Sequence, residues 1–355
     1  MRRVSKWTLV RLVAVSVLLS VAYFICFSGL TATSDSVRHF DVHGSTEFHN
    51  LLLDTSVADC CDGEPLKMEL PASDFETLLD IRDFKFRINQ PSCRGEPEVL
   101  IIVHSAPRNW EKRMQIRKTW GSDLQGHLLF MLAAVDSPML QLSLESENDQ
   151  HHDIVQGSFR DAYRNMTYKH VMSLKWALYF CPGVRYVLKT DDDTFINTPV
   201  LIRALTQGRL RCGMKKLLLC RVWSGVAVNR TGDKWMVTQE EFNDNVYPDY
   251  CSGTAILYSQ DVVYALYRKA QETPHFWVDD VHITGTVAGE LNLPQETMES
   301  GTLSIRFTHN TVKCDHSLEK DAPSWIRSFL FSKHDLSTSD MAALWSYVKN
   351  CAMTP

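Results

Sequence analysis

Residues 186–197 read YVLKTDDDTFIN: a short apolar run, a lysine and a threonine, then Asp191, Asp192 and Asp193 in succession. Three adjacent carboxylates repel one another and suit a strand poorly, so their place after Tyr186, Val187 and Leu188 predicts a loop at a strand's carboxyl end. A divalent cation would remove the repulsion. Hard cations such as Mg²⁺ and Mn²⁺ take oxygen ligands, usually a carboxylate or two plus the phosphate oxygens of a bound nucleotide. A solvated acidic turn, capping a helix that starts near Thr198 and Pro199, explains the triplet equally well taken alone. An EF-hand does not, because the glycine and the closing glutamate of such a loop are missing.

Working outward, strand and helix signals alternate. Residues 99–103 (VLIIV) form an apolar, β-branched run of the kind buried on both faces of a parallel sheet. Residues 111–120 are basic and helical in pattern, 127–135 are apolar again, and 167–180 carry Met172, Trp176 and Tyr179 at helical spacing. Downstream, 217–222 reads as a strand, 247–253 (YPDYCSG) is a turn-rich aromatic stretch leading into a strand at 254–259, and Asp279-Asp280-Val281 opens a helix running to Leu291. This alternation, with connections long enough for crossovers, predicts an α/β domain with a mixed, mainly parallel central sheet flanked by helices. Ligands of such sheets sit outside the carboxyl ends of the strands, where the acidic triplet falls, and that raises the metal reading above the capping one.

Other residues have two readings each. Tyr247 and Tyr250, beside Ser252 and Gly253, are either loop packing or an amphipathic platform for a sugar ring. Asp279 and Asp280 at a helix start are favoured by the macrodipole as a cap; the functional alternative is a general base. Arg113, Arg117 and Lys189 offer counter-charge for a diphosphate.

The 355 residues, 45% hydrophobic and 22% charged, suit one large domain or two small ones, and the net charge of −5 speaks against a nucleic-acid partner. Arg2, Arg3, Lys6 and Arg11 precede 12–30, a run of 19 residues without a charge. At about 1.5 Å per residue it matches the hydrocarbon thickness of a bilayer. The basic flank puts the N-terminus in the cytosol, and the run is longer than the core of a cleaved signal peptide. The expected organisation is a cytosolic tail (1–11), a transmembrane signal anchor (12–30), a lumenal stem without periodicity (31–82) and a lumenal catalytic domain (83–355). Asn165-Met-Thr and Asn229-Arg-Thr are glycosylation acceptor triplets. Of ten cysteines, setting aside Cys26 leaves nine in an oxidising lumen, so one at least lacks a partner within the chain. Cys60-Cys61 is where that thiol is sought; the pairing is open. The absence of C-x-x-C spacing argues against structural zinc.

Five blocks in order, namely 116–121 (IRKTWG), 159–169 (FRDAYRNMTYK), 188–195 (LKTDDDTF), 247–253 and Asp279-Asp280-Val281, resemble the beta-1,3-glycosyltransferase family. That family holds galactosyltransferases, N-acetylglucosaminyltransferases and, more distantly, the Fringe proteins. The resemblance runs from about Phe84 to the C-terminus. It implies a single-pass type II Golgi membrane enzyme of GT-A fold that moves a sugar from a UDP-sugar to the 3-hydroxyl of an acceptor with inversion. It further implies Asp193 as the closest Mn²⁺ ligand on the UDP diphosphate, with Asp191 and Asp192 in support, and Asp280 as the base. Asp279 stands where the family usually has glutamate, and Gly285 falls one position later than in many members. His334, Met341 and Trp345 are similar to the family's ending, which implies His334 as a second protein ligand, with His309 and His316 as fallbacks. Galactose is the expected donor sugar, N-acetylglucosamine the alternative. The acceptor is a glycan on a glycoprotein, glycolipid or proteoglycan, the membrane is met through one helix, and a homodimer stays open. Inversion asks for one base, whereas a glycosyl-enzyme would ask for a second, nucleophilic carboxylate that has no separate candidate. A non-catalytic, membrane-tethered carbohydrate-binding protein is the competing class, and it would tolerate Asp280→Asn.

Overall fold

The structure, a computed structural model, describes residues 39–42, 69–122, 124, 127–207, 210, 215–232, 234–297, 302–306, 330–332 and 334–352. The expected tail and anchor, His309, His316, Cys60 and Cys61 lie outside them. Among the described residues no helix is long and apolar enough to cross a membrane. The chain falls into two compact units. Of the first, 1–41 with 305–313, residues 39–41, 305 and 306 are described, the first three in the strand β1 (His39–Val42). The second, 42–304 with 314–355, holds the larger sheet and the site.

The sheet grows from consecutive apolar residues. After β2 (Phe86–Ile88) come β3 (Val99–His104) and β4 (Leu128–Ala134), buried at every position, as strands covered on both faces must be. Helix α1 (Trp110–Lys118) leads from β3 to β4, α2 (Pro138–His151) from β4 to β5 (Ile154–Arg160), and each strand lies parallel to the last. Helix α3 (Met166–Phe180) then carries the chain back to β6 (Tyr186–Asp191), which pairs parallel on the other side of β3. Strand addition thus reverses direction between β3 and β6, and the loops leaving them diverge to open a crevice. His104 is paired with Asp191, so the loop after β3 and the acidic triplet leave the sheet side by side.

The flanks are antiparallel. β2 lies on β5, and beyond β6 come β8 (Tyr250–Ser259), β7 (Leu218–Trp223) and the short β9 (Glu296–Thr297), the last parallel to β7. The mixed sheet is as expected, with three consecutive parallel pairings at its middle. β8 meets β6 from Tyr186↔Ser259 to Thr190↔Ala255, so its first residues overrun the end of β6 and stand beside the triplet. The strand starts at Tyr250, earlier than the turn-like composition of 247–253 suggests. Pairing of Trp223 with Tyr250 and a Cys220–Cys251 disulfide hold it extended. A second disulfide, Cys93–Cys181, ties the segment before β3 to the end of α3.

Residues 69–82, the end of the expected stem, contribute to the core. Leu78 and Leu79 are buried in the main core. Lys175 of α3, wholly buried, donates to the carbonyl oxygens of Asp74 and Thr77 and to the hydroxyl of Tyr267 on α4 (Gln260–Ala270). The folded unit therefore includes residues upstream of 83.

Candidate active site

A cleft of about 810 Å³ lies over the carboxyl ends of β3 and β6. The triplet lines it, but its three acids differ in their bonding. Asp192 is buried and accepts from Ser105 Oγ (2.7 Å), Asn109 Nδ2 (2.8 Å) and Lys112 Nζ (3.1 Å), while its N–H donates to the His104 carbonyl (3.1 Å). It fastens the loop after β3 to the end of β6. Asp193 also accepts from Lys112, at 3.3 Å, and its carbonyl accepts from Leu336 N at 3.1 Å, which brings exposed His334 to the rim. Asp191 accepts from Lys189 Nζ at 2.9 Å; burial pushes its carboxyl up to about 6, against the pull of that ammonium.

Lys189 is the buried cation under this floor. Its ammonium also donates to the Gly253 carbonyl at 2.5 Å, and it stays charged although burial opposes it, because Asp191, Asp279 and Asp280 all face it. Gly253 fits closely, since a Cβ there would stand 3.4 Å from both Asp280 Oδ2 and Lys189 Nζ.

Asp279 and Asp280 have opposite surroundings. Burial would raise Asp279, but a hydrogen bond from buried His170 (2.9 Å) and the charge of Lys189 outweigh it and hold this carboxyl below the usual range. Asp280 is raised, first by burial and then by the charge of Asp279. Its Oδ1 also accepts from Val281 N at 3.0 Å, so the cap reading holds for the same residue. The helix it opens is a π-helix, Val281–Val287, continued by Ala288–Glu290. A π-turn takes up one residue more than an α-turn, which suits the late Gly285. That glycine is closely packed: a Cβ would come within 3.0 Å of Pro248 Cγ and 3.2 Å of Tyr250 Cβ, so a neighbour would have to shift.

Aromatic rings make the opposite wall. Tyr247 and Tyr250 are joined by Tyr163, Trp223, Trp235 and Trp277, with Tyr163 packed 5.3 Å from Trp235 and 5.9 Å from Trp277. Ser252 lies beside them, its hydroxyl paired with that of Thr254. Asn229 also lines the cleft, its Oδ1 accepting from Thr231 N at 3.0 Å, while Asn165 precedes α3 and donates to the Arg160 carbonyl.

The three basic residues offered as counter-charge are all engaged within the protein. Arg113 is wholly buried in a two-pronged ion pair with Glu147 (2.8 and 2.7 Å) and donates to the carbonyls of Ala106 and Pro107. Arg117 pairs with Asp153 and Glu147. Arg113 braces the loop after β3 from behind, and Arg117 ties α1 to Glu147 of α2 and to Asp153 ahead of β5. Lys189 is likewise taken up by Asp191 and Gly253. Lys112, turned about 100° around α1 from Arg113, lines the cleft instead, as do Lys169 and Lys234. Lys112 escaped the sequence reading because the basic run carries cations on several faces. Tyr163 escaped because its block was read only as a match.

Among the described residues no three His, Cys, Asp or Glu side chains converge to enclose a metal ion. The donor set fits an open site instead. The Asp193 carboxylate and His334 line the same cleft, which suits a hard cation completed by phosphate oxygens and water.

Comparison with known proteins puts the chain among the glycosyltransferases. The galactosyltransferase family profile matches residues 111–299, more than half of the chain, and the chain belongs to that family. Mouse beta-1,3-galactosyltransferase 5 is 32% identical over 220 residues, covering 59% of this chain and 68% of that one. Human beta-1,3-galactosyltransferase 9 is 30% identical over 273 residues, covering 74% and 69%. Among solved structures, the mannosyltransferase PcManGT from Pyrobaculum calidifontis in complex with GDP-Man and Mn²⁺ aligns with a TM-score of 0.33 at 13% identity over 60% of this chain and 57% of that one, too slight a likeness to carry an argument.

Proposed function

We propose that this protein transfers galactose from UDP-galactose to the 3-hydroxyl of an acceptor glycan with inversion, and that Asp280 takes the proton. The observation that carries the reading is the split pair. Asp279 is held as a carboxylate, while Asp280 is given a raised proton affinity at the edge of a cleft walled by aromatic rings. A sugar hydroxyl is a poor nucleophile near neutral pH, and a carboxylate with raised proton affinity can take its proton as the new bond forms. Galactose is chosen because the relatives above are galactosyltransferases by name.

Tyr247, Tyr250 and Ser252 receive the acceptor, with Gly253 leaving room beside Asp280. Asp193, Asp191 and His334 would hold Mn²⁺, which when bound supplies counter-charge to the departing diphosphate. Lys112, paired with Asp192 and Asp193, adds an ammonium at the cleft, and Asp192 keeps the two loops together. The anchor at 12–30, a Golgi location and glycans on Asn165 and Asn229 complete the proposal.

The test is UDP release by the full-length chain in detergent, with UDP-galactose or UDP-N-acetylglucosamine, simple sugar acceptors, and Mn²⁺ or a chelator. Metal-dependent, acceptor-stimulated release from UDP-galactose is expected. Release from UDP-N-acetylglucosamine alone would reassign the donor, and binding of UDP without release from either would favour a carbohydrate-binding protein.

A further inference from the structure

Behind Asp279 runs a buried polar chain that the reaction above does not use. His170 Nδ1 lies 2.9 Å from Asp279 Oδ2, and His170 Nε2 lies 2.9 Å from the Tyr258 hydroxyl. His170 on α3 and Tyr258 on β8 are both wholly buried. A carboxylate only accepts, so Nδ1 carries the proton and donates. Burial keeps the ring neutral, so Nε2 is bare and accepts from Tyr258. Both ring nitrogens are satisfied and a single tautomer is fixed. The nearest other imidazole, His104, meets this ring edge-on at 5.5 Å but bonds to Ser173 instead.

We infer that His170 is a positioning residue for the transfer: by donating from Nδ1 it holds Asp279 as a carboxylate committed to the protein interior, and so leaves Asp280 as the member of the pair that takes the proton. This rests on the reading of Asp280 as the base. Two adjacent carboxyls with nothing to tell them apart share a proton, and neither is then a dependable base. The groups facing Asp280 are Asp279 beside it, Lys189 and Asp191 from β6, Tyr250 and Tyr258 from β8, and Tyr163 and Tyr247 from the aromatic wall. Lys189 faces both acids, so it does not distinguish them. The imidazole bonds to one only.

The experiment is a double-mutant cycle on the full-length chain, reading kcat against pH at saturating donor and acceptor. Asp279→Asn removes the neighbouring charge, so the acid limb of kcat should move to lower pH and the plateau should fall by roughly tenfold, as a weaker base gives a slower transfer. His170→Leu should move both quantities the same way with the KM for donor unchanged, and in the Asp279→Asn background it should change neither further. His170→Asn, which keeps a donor about where Nδ1 stood, should restore the parental acid limb. A His170→Leu loss of kcat that recurs undiminished in the Asp279→Asn background, or that leaves the acid limb in place, would make His170 a packing residue and overturn the inference. Should His170→Leu fail to fold, an unmoved acid limb in Asp279→Asn overturns it just as well. Asp280→Asn separates the two claims, because full activity there removes the base itself, whatever His170 does.

Discussion

At the residue scale, the three adjacent aspartates differ by what donates to them, and each difference is testable. Asp192 accepts three hydrogen bonds while buried, so Asp192→Asn should cost about 2–3 kcal/mol, read as a lower thermal midpoint. Asp193→Asn should leave that midpoint alone and raise the Mn²⁺ concentration needed for half-maximal activity. Asp280 works as a carboxylate and its proton affinity is raised, so kcat should fall as the medium is acidified, at a higher pH than an ordinary aspartate would give. Asp280→Asn should lower kcat by about 10²–10⁴-fold while isothermal titration still shows UDP binding. The acids were legible in the sequence because their types and order announce them. Their partners were not: whether Arg113 or Lys112 faces the cleft depends on the phase of α1, and a basic residue reads the same on either side of a helix.

At the element scale, the strands at the centre of the sheet were legible, but β5 and the helices α2 and α4 were not. Each wholly buried strand is a plain apolar run. Helix α2 buries Leu144 together with Glu147, which the two arginines neutralise, and exposes Met139 and Leu142, so no apolar stripe marks its inner face. The start of β8 was hidden for another reason: pairing across a disulfide holds extended a stretch whose composition favours a turn. The π-helix behind Asp280 was signalled by the displaced glycine, although spacing alone does not name the turn that absorbs the shift. Gly285→Ala should press on Pro248 and Tyr250, a packing cost of roughly 1–3 kcal/mol, and raise the KM for acceptor while leaving the KM for donor unchanged in initial-rate kinetics.

At the scale of the whole molecule, the boundary of the folded unit matters most. Residues 69–82 have the composition of a spacer, yet Leu78 and Leu79 sit in the core and the carbonyls of Asp74 and Thr77 receive the buried ammonium of Lys175. Burying each leucine contributes about 1.5–3 kcal/mol, and their sum rivals the net stability of many domains. A secreted fragment 83–355 should therefore unfold at a lower temperature than 69–355, or fail to fold, by circular dichroism. The parallel centre was legible from alternating strands and helices, and it fixes where the acids lie; the switch point came from the strand order. The central claim, a single-base displacement directed by Asp280, predicts the stereochemistry of the product. We would incubate the full-length protein with UDP-galactose, whose sugar is α-linked, and a simple acceptor, then determine the new linkage by nuclear magnetic resonance. A β-linkage to the 3-hydroxyl is predicted, and an α-linked product would contradict the account.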